Sequence, residues 1–148
     1  MSKDRFKFIV CAALILRDGD KILLSKRYNT GYQDGKFSLV SGHVDGDEFA
    51  SEAMVREASE ETGIVISKDN LDLVHTSHQI CDDGSERINV FFEVTKWDGN
   101  IENREPNKCS GLSWFSPSDL PEEIVSYIRF VIERISERKL YSEYRGDS

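Results

Sequence analysis

The chain has 148 residues, a formal net charge of −8 and 39% hydrophobic residues. That is enough for one domain with a single good core, and too apolar for a disordered segment. The excess of acid excludes a non-specific grip on nucleic-acid backbone, so no long nucleic acid is expected as a partner. No run approaches the ~18 apolar residues that a membrane span needs. Cys11, Cys81 and Cys109 are odd in number and form no CxxC pair, so each reads as a small apolar filler in a reducing compartment, the cytoplasm by default.

In chain order, residues 6–17 and 21–27 read as two strands joined by a turn at Arg17-Asp18-Gly19-Asp20. Basic residues before Phe8 superficially suit a signal peptide. The hairpin is preferred because a second apolar run, Ile22-Leu23-Leu24, follows where a cleavage site would stand. A polar loop fills 28–36, and Phe37 to Val40 reads as a short strand. After a loop over 41–47, Asp47 is the expected N-cap of a helix from Glu48 to Thr62, ended by Gly63. Strands are expected at 71–79, 88–95 and 112–115. A C-terminal helix begins near Pro117 and Pro121, with Ile124, Tyr127, Ile128, Val131, Ile132 and Ile135 on its apolar face. The polar tail at about 141–148 is expected to fray. The whole is one α+β domain, 1–148.

Residues 48–62 carry the chemistry. A helical wheel at about 100° per residue puts Ala50, Ala53, Met54 and Ala58 on one side. Glu57 and Glu61 fall in the middle of that side, with Glu60 at its edge. Like charges at i,i+4 destabilise a helix by a few tenths of a kcal/mol, and desolvating them costs more. Arg56, the one local cation, is expected to point elsewhere. A hard divalent cation, with Mg²⁺ the usual choice beside phosphates, would offset the repulsion.

From Gly42 to Ile64 the sequence reads GHVDGDEFASEAMVREASEETGI. This resembles the Nudix box: Gly, five residues, Glu, seven residues, Arg-Glu, apolar, any, Glu-Glu, any, Gly, apolar. Gly42, Glu48, Arg56, Glu57, Ala58, Glu60, Glu61, Gly63 and Ile64 match every fixed position. The chance of such a match is on the order of 10⁻⁹ per window.

The resemblance implies a Nudix α/β/α sandwich with a mixed β-sheet between helices. It also implies metal-dependent hydrolysis of a nucleoside diphosphate linked to some moiety X, with Mg²⁺ or, as a substitute, Mn²⁺. By the same resemblance, Glu60 and Glu61 are central metal ligands and Glu57 is a further ligand or the base that orients water. Arg56 and Glu48 form a bracing ion pair, and Ser41 and Gly42 lie where a backbone carbonyl is offered to the metal. Ser41 departs from the glycine many members carry there. A later loop acid is expected, Glu105 first and Glu102 second.

Other candidates are weaker. Arg27, Tyr28, Tyr32 and Phe37 flank the loop before the box, where an aromatic stacks on a base or, as readily, Phe37 belongs to the core. His43 touches a phosphate or fills a tolerant position. His75 and His78 lie three apart in a strand, which puts them on opposite faces and disfavours a shared metal. Trp114-Phe115 reads as core.

On the substrate, no proline occurs between Gly63 and Pro106, where the ADP-ribose type carries one, and no tyrosine between Tyr32 and Tyr127, where the dinucleoside polyphosphate type does. By elimination a MutT-like reaction is favoured, nucleoside triphosphate to monophosphate and pyrophosphate. The alternative is a non-catalytic module that senses a nucleotide or ADP-ribose. A homodimer is left open.

Overall fold

The computed structural model describes residues 4–146. Its strands are β1 (Ile9–Asp18), β2 (Lys21–Arg27), β3 (Phe37–Ser38), β4 (Val40–His43), β5 (Asp72–Ile80), β6 (Glu86–Val94), β7 (Cys109–Phe115) and β8 (Tyr141–Arg145). The helices are α1 (Ala50–Thr62) and α2 (Ser126–Ser136).

β1 and β2 form the expected hairpin, with Asp18 opposite Lys21. Gly19 supplies the positive φ of 63° that its tight turn requires. β1 is the hub. It pairs antiparallel with β4 and parallel with β6, and β6 pairs antiparallel with β5. β2 carries β3 and β7 on its two edges, both antiparallel. The sheet is therefore mixed, as expected.

β1 is buried on both faces, and its alternation assigns each residue to a layer. Ala12, Leu14 and Leu16 pack with Met54 and Ala58 of α1. Ala13 and Ile15 pack with Tyr127, Ile128, Val131 and Ile132 of α2. The two helices thus cover opposite faces, an α/β/α arrangement. Among the described residues no helix is long and apolar enough to cross a membrane.

Three boundary expectations fail. The helix α1 starts at Ala50, not Glu48, and Asp47 does not cap it. Asp47 sits at φ 61°, which turns the chain so that Glu48 remains in the loop. The free amide of Phe49, the observed cap residue, donates to Glu52 Oε1 at 2.8 Å instead. The second correction concerns α2, which begins at Ser126, well after Pro121. Ile124 and Val125 are spent first on a bridge to Phe37, whose N–H donates to the Glu123 carbonyl at 2.7 Å.

The third correction concerns the tail, which does not fray over 141–145. It forms β8, a parallel partner for the otherwise open edge of β5, from Thr76↔Tyr141 to Ile80↔Arg145. Ser142 is buried and its Oγ lies 2.7 Å from His75 Nε2. The Tyr144 ring packs edge-on against Tyr127 and Phe130, at 5.2 and 5.1 Å between centroids. Tyr144→Ala should cost about 2 kcal/mol and lower Tm by about 5 °C, measured by thermal denaturation. An unchanged Tm would mean that β8 adds nothing to the core.

Candidate functional site

The side chains of the box meet at the junction of α1 with β4. Ser41 and Gly42 lie on β4, held against Ala13 and Ala12 of β1. The carboxylate of Glu57 crosses directly over Gly42. A Cβ at position 42 would overlap Glu57 Oε1, Cδ and Cγ, so any side chain there would push the Glu57 carboxylate out of its place. Ala53, Met54 and Ala58 fix the buried face of α1, and Glu57 and Glu61 emerge beside it.

Arg56 does not point elsewhere. Its Nη2 donates to Glu48 Oε1 at 2.7 Å and its Nε to Glu48 Oε2 at 3.3 Å, a two-pronged contact. Its Nη1 reaches Glu57 Oε1 at 2.8 Å and Glu60 Oε2 at 3.5 Å. Nη2 also donates to the His43 carbonyl at 3.2 Å. The guanidinium thus ties the loop end, β4 and α1 together. Its hydrogen bond holds the Glu48 carboxyl below the usual carboxylate range.

Glu61 is in a different state. Its Oε2 is buried and has no hydrogen-bond partner. Burial first, then the charges of Glu57 and Glu105, push its carboxyl up to about 9. A site that gathers carboxylates until one must hold a proton is one that a cation would relax.

A cavity of about 520 Å³ opens on these groups, lined by Glu57, Glu60, Glu61, Glu105, Ser41, Arg27 and Lys108 among others. All its anionic donors are hard oxygens, the set that suits Mg²⁺ or Mn²⁺. Among the described residues no three carboxylates, imidazoles or thiols converge closely enough to hold a metal ion by themselves. The donor set and the orphaned Glu61 oxygen fit an open site completed by water and phosphate oxygens, the usual manner of Mg²⁺. Lys108 was not anticipated from sequence, where it reads as one more loop lysine.

A second cavity, of about 540 Å³, adjoins the first and shares Arg27, Ser38 and Ser41 with it. Its floor is the α2-side face of the sheet: Cys11, Gln79, Arg87, Asn89 and Phe91, with Tyr127 and Ile128 above. Cys11 and Cys81 are buried and form no disulfide, but they line this cavity and are not mere filler. Cys109 lines the first cavity and accepts a hydrogen bond from Ser25 Oγ at 3.1 Å.

The remaining candidates divide. Arg27 borders both cavities, held by the Tyr32 carbonyl at 2.7 Å and Thr30 Oγ1 at 3.1 Å. Tyr32 and His43 border the second, and Tyr28 is exposed. Phe37 is a correction. Its ring lies edge-on to Phe115 at 5.0 Å and packs, partly buried, on the α2-side core, and it lines neither cavity. Glu102 pairs with Arg104 on the surface, so Glu105 is the loop acid at the site. His75 is buried between the Lys139 carbonyl and Ser142, while His78 meets Glu86 at 2.7 Å. They share no site. Trp114 stacks on Trp97 in the core on the α1 side.

Comparisons with known proteins agree with this geometry. Residues 7–134 match the model of the NUDIX domain. An ADP-ribose pyrophosphatase of Methanocaldococcus jannaschii is 41% identical over 108 residues, 73% of this chain and 62% of that protein. A CTP pyrophosphohydrolase of Escherichia coli is 47% identical over 55 residues, 37% of this chain and 40% of that protein. The chain spans between 36% and 62% of the length of the curated relatives it matches. Among solved structures, a MutT NUDIX hydrolase from Burkholderia pseudomallei superimposes with a TM-score of 0.78 at 26% identity, over 86% of this chain and 97% of that one. With the complete box on a cavity-lining helix, and the sandwich around it, this chain belongs to the NUDIX domain family.

Proposed function

We propose that the chain hydrolyses the pyrophosphate linkage of a nucleoside diphosphate derivative, by preference a nucleoside triphosphate, giving a monophosphate and pyrophosphate. The observation that carries this is the buried, partnerless Glu61 oxygen in a cavity shared with Glu57, Glu60 and Glu105, next to a second cavity that suits a nucleoside. Glu60, Glu61 and the Ser41 carbonyl, with Glu57 as a further ligand, are the groups that would hold Mg²⁺ or Mn²⁺. When bound, the cation supplies charge neutralisation at the phosphates and a more acidic water.

The chain's own residues do the rest. Arg27 and Lys108 stand at the cavity wall as positive partners for the phosphate chain. Glu57 or Glu105 accepts the proton of the attacking water. The new P–O bond forms as the bond to the leaving pyrophosphate breaks. Arg56 and Glu48 position Glu57 and do not touch substrate. Three cysteines with no disulfide among them suit a reducing cytoplasm.

The name of the E. coli relative supports a triphosphate substrate. That of the M. jannaschii relative, similar over more of this chain, supports ADP-ribose as a second reading. A release screen for phosphate and pyrophosphate with Mg²⁺ separates them, run over nucleoside triphosphates, oxidised and deoxy forms, ADP-ribose, nucleotide sugars and dinucleoside polyphosphates. Turnover of triphosphates that stops in EDTA and returns with Mg²⁺ is expected. Turnover of ADP-ribose alone would select the second reading. Silence across the panel, with nucleotides still stabilising the fold, would make the chain a sensing module.

A further inference from the structure

The second cavity holds a polar arrangement that the hydrolysis of phosphates does not use. Sheet register creates it. Arg87 of β6 stands opposite Gln79 of β5, and Asn89, two residues on, stands opposite Cys11 of β1. All four side chains therefore share one face.

The amides there have fixed orientations. Gln79 Nε2 donates to the Gly146 carbonyl at 2.8 Å, so its Oε1 is the acceptor end. Asn89 must then turn its Nδ2 toward Gln79 Oε1, at 3.2 Å, and toward Tyr127 Oη, at 2.7 Å. Both amide hydrogens of Asn89 are spent, and Oδ1 is left as its acceptor end.

Arg87 is poorly served. Its Nε is buried without a partner, and its other contacts are to sulfur, with Nη1 3.8 Å from the Cys11 thiol and the Cys81 thiol beside it. Sulfur is a weak acceptor. Among the described residues no carboxylate comes within ion-pair distance of Arg87; Asp83 at the cavity rim feels its charge but accepts from Ser85 N–H and Oγ, at 2.9 and 2.6 Å. A guanidinium kept short of acceptors on a cavity floor is provision for an acceptor that arrives with a ligand. Phe91, Ala13, Val125 and Ile128 give the same cavity apolar walls for a flat ring.

We infer that Arg87 is a specificity-determining residue that reads the exocyclic carbonyl of a nucleobase, with Asn89 Oδ1 accepting from an adjacent N–H. Cytosine and guanine offer a carbonyl beside a ring-nitrogen acceptor, matching the guanidinium fork, and both also carry a donor for Asn89. Uracil offers a carbonyl and the adjacent N3–H but no ring-nitrogen acceptor for the second prong of the fork. Adenine has no carbonyl and is selected against. The inference rests on the cleft being a nucleotide site, since the shared wall of Arg27, Ser38 and Ser41 would carry the phosphates from this cavity to the carboxylates.

The test is calorimetric binding of CMP, GMP, UMP and AMP in EDTA, where no turnover contributes. CMP and GMP are expected to bind at least tenfold more tightly than AMP. Arg87→Met should weaken CMP and GMP at least tenfold and leave AMP within twofold. Arg87→Gln, which keeps a polar end on a shorter stem, serves if the Met variant does not fold. Equal binding of all four bases by the wild type would overturn the inference. So would a uniform loss in both variants, which would make Arg87 a phosphate or framework residue. If the base preference appears while no triphosphate is hydrolysed, the proposed activity fails and the base reading stands. If triphosphates are hydrolysed without regard to base, the reverse holds.

Discussion

Glu61→Gln is expected to lower kcat at saturating Mg²⁺ by about 1,000-fold or more, roughly 4 kcal/mol of transition-state free energy. The amide keeps the shape and removes the charge that would hold the cation. The fold should survive, because the wild-type side chain is the strained one: its Oε2 is buried with no partner, and burial with neighbouring carboxylates pushes the carboxyl up to about 9.

The sign of the accompanying stability effect follows from linkage. A carboxyl whose pKa is raised by folding binds its proton more tightly in the folded state than in the unfolded one. Stability of the metal-free wild type then falls as pH rises from the ordinary carboxylate range toward about 9, by up to about 1.4 kcal/mol per pH unit. In Glu61→Gln that decline should be flattened, so at pH 8 in EDTA the variant should melt at or above the wild-type temperature. Wild-type turnover in the variant would remove α1 from the chemistry. Lost turnover with an unfolded chain would instead make Glu61 a framework residue.

The carboxylate half of the candidate site was legible because it violates folding logic. Two like carboxylates on the alanine face of a helix have no structural motive, and the spacing from Gly42 to Ile64 names the exception. The role of Gly42 follows from that spacing but its reason does not, since only the structure shows Glu57 lying across it. The half proposed to take the nucleoside was invisible. Gln79, Arg87 and Asn89 look like ordinary polar positions in two strands, and the pairing register is what assembles them. β8 was missed for a related reason. Tyr141–Arg145 is too polar to announce a core strand, and it is recruited by the open edge of β5 rather than by its own hydrophobicity. Phe37 misled in the other direction: aromatic position near a loop suggested stacking on a base, and contact with Phe115 placed it in the core.

Arg56→Met is expected to lower Tm by about 5–10 °C and kcat by about 100-fold, although Arg56 lies outside the chemistry. The guanidinium holds Glu48 by two prongs, Glu57 by one and the His43 carbonyl by one. Its loss leaves two half-buried carboxylates facing each other's field, with Glu57 free to leave its place over Gly42. Arg56→Lys should recover little, since an ammonium cannot span three acceptors in one plane.

The decisive comparison is the double variant with Glu48→Gln. If Glu48 and Arg56 act as one brace, removing both should cost scarcely more than removing Arg56 alone, because Arg56→Met has already destroyed what Glu48 contributes. Simple additivity of the two Tm shifts would dissolve the brace into two unrelated surface charges. The contribution of the pair should also fade in acid. Arg56 holds the Glu48 carboxyl below its usual range, so that part of the stability is present above the unfolded carboxylate pKa and is lost as pH falls through the folded one. The Tm difference between wild type and Arg56→Met should therefore shrink below about pH 4. A difference that stays constant there would show that the arginine acts through the packing of its stem and not through its charge.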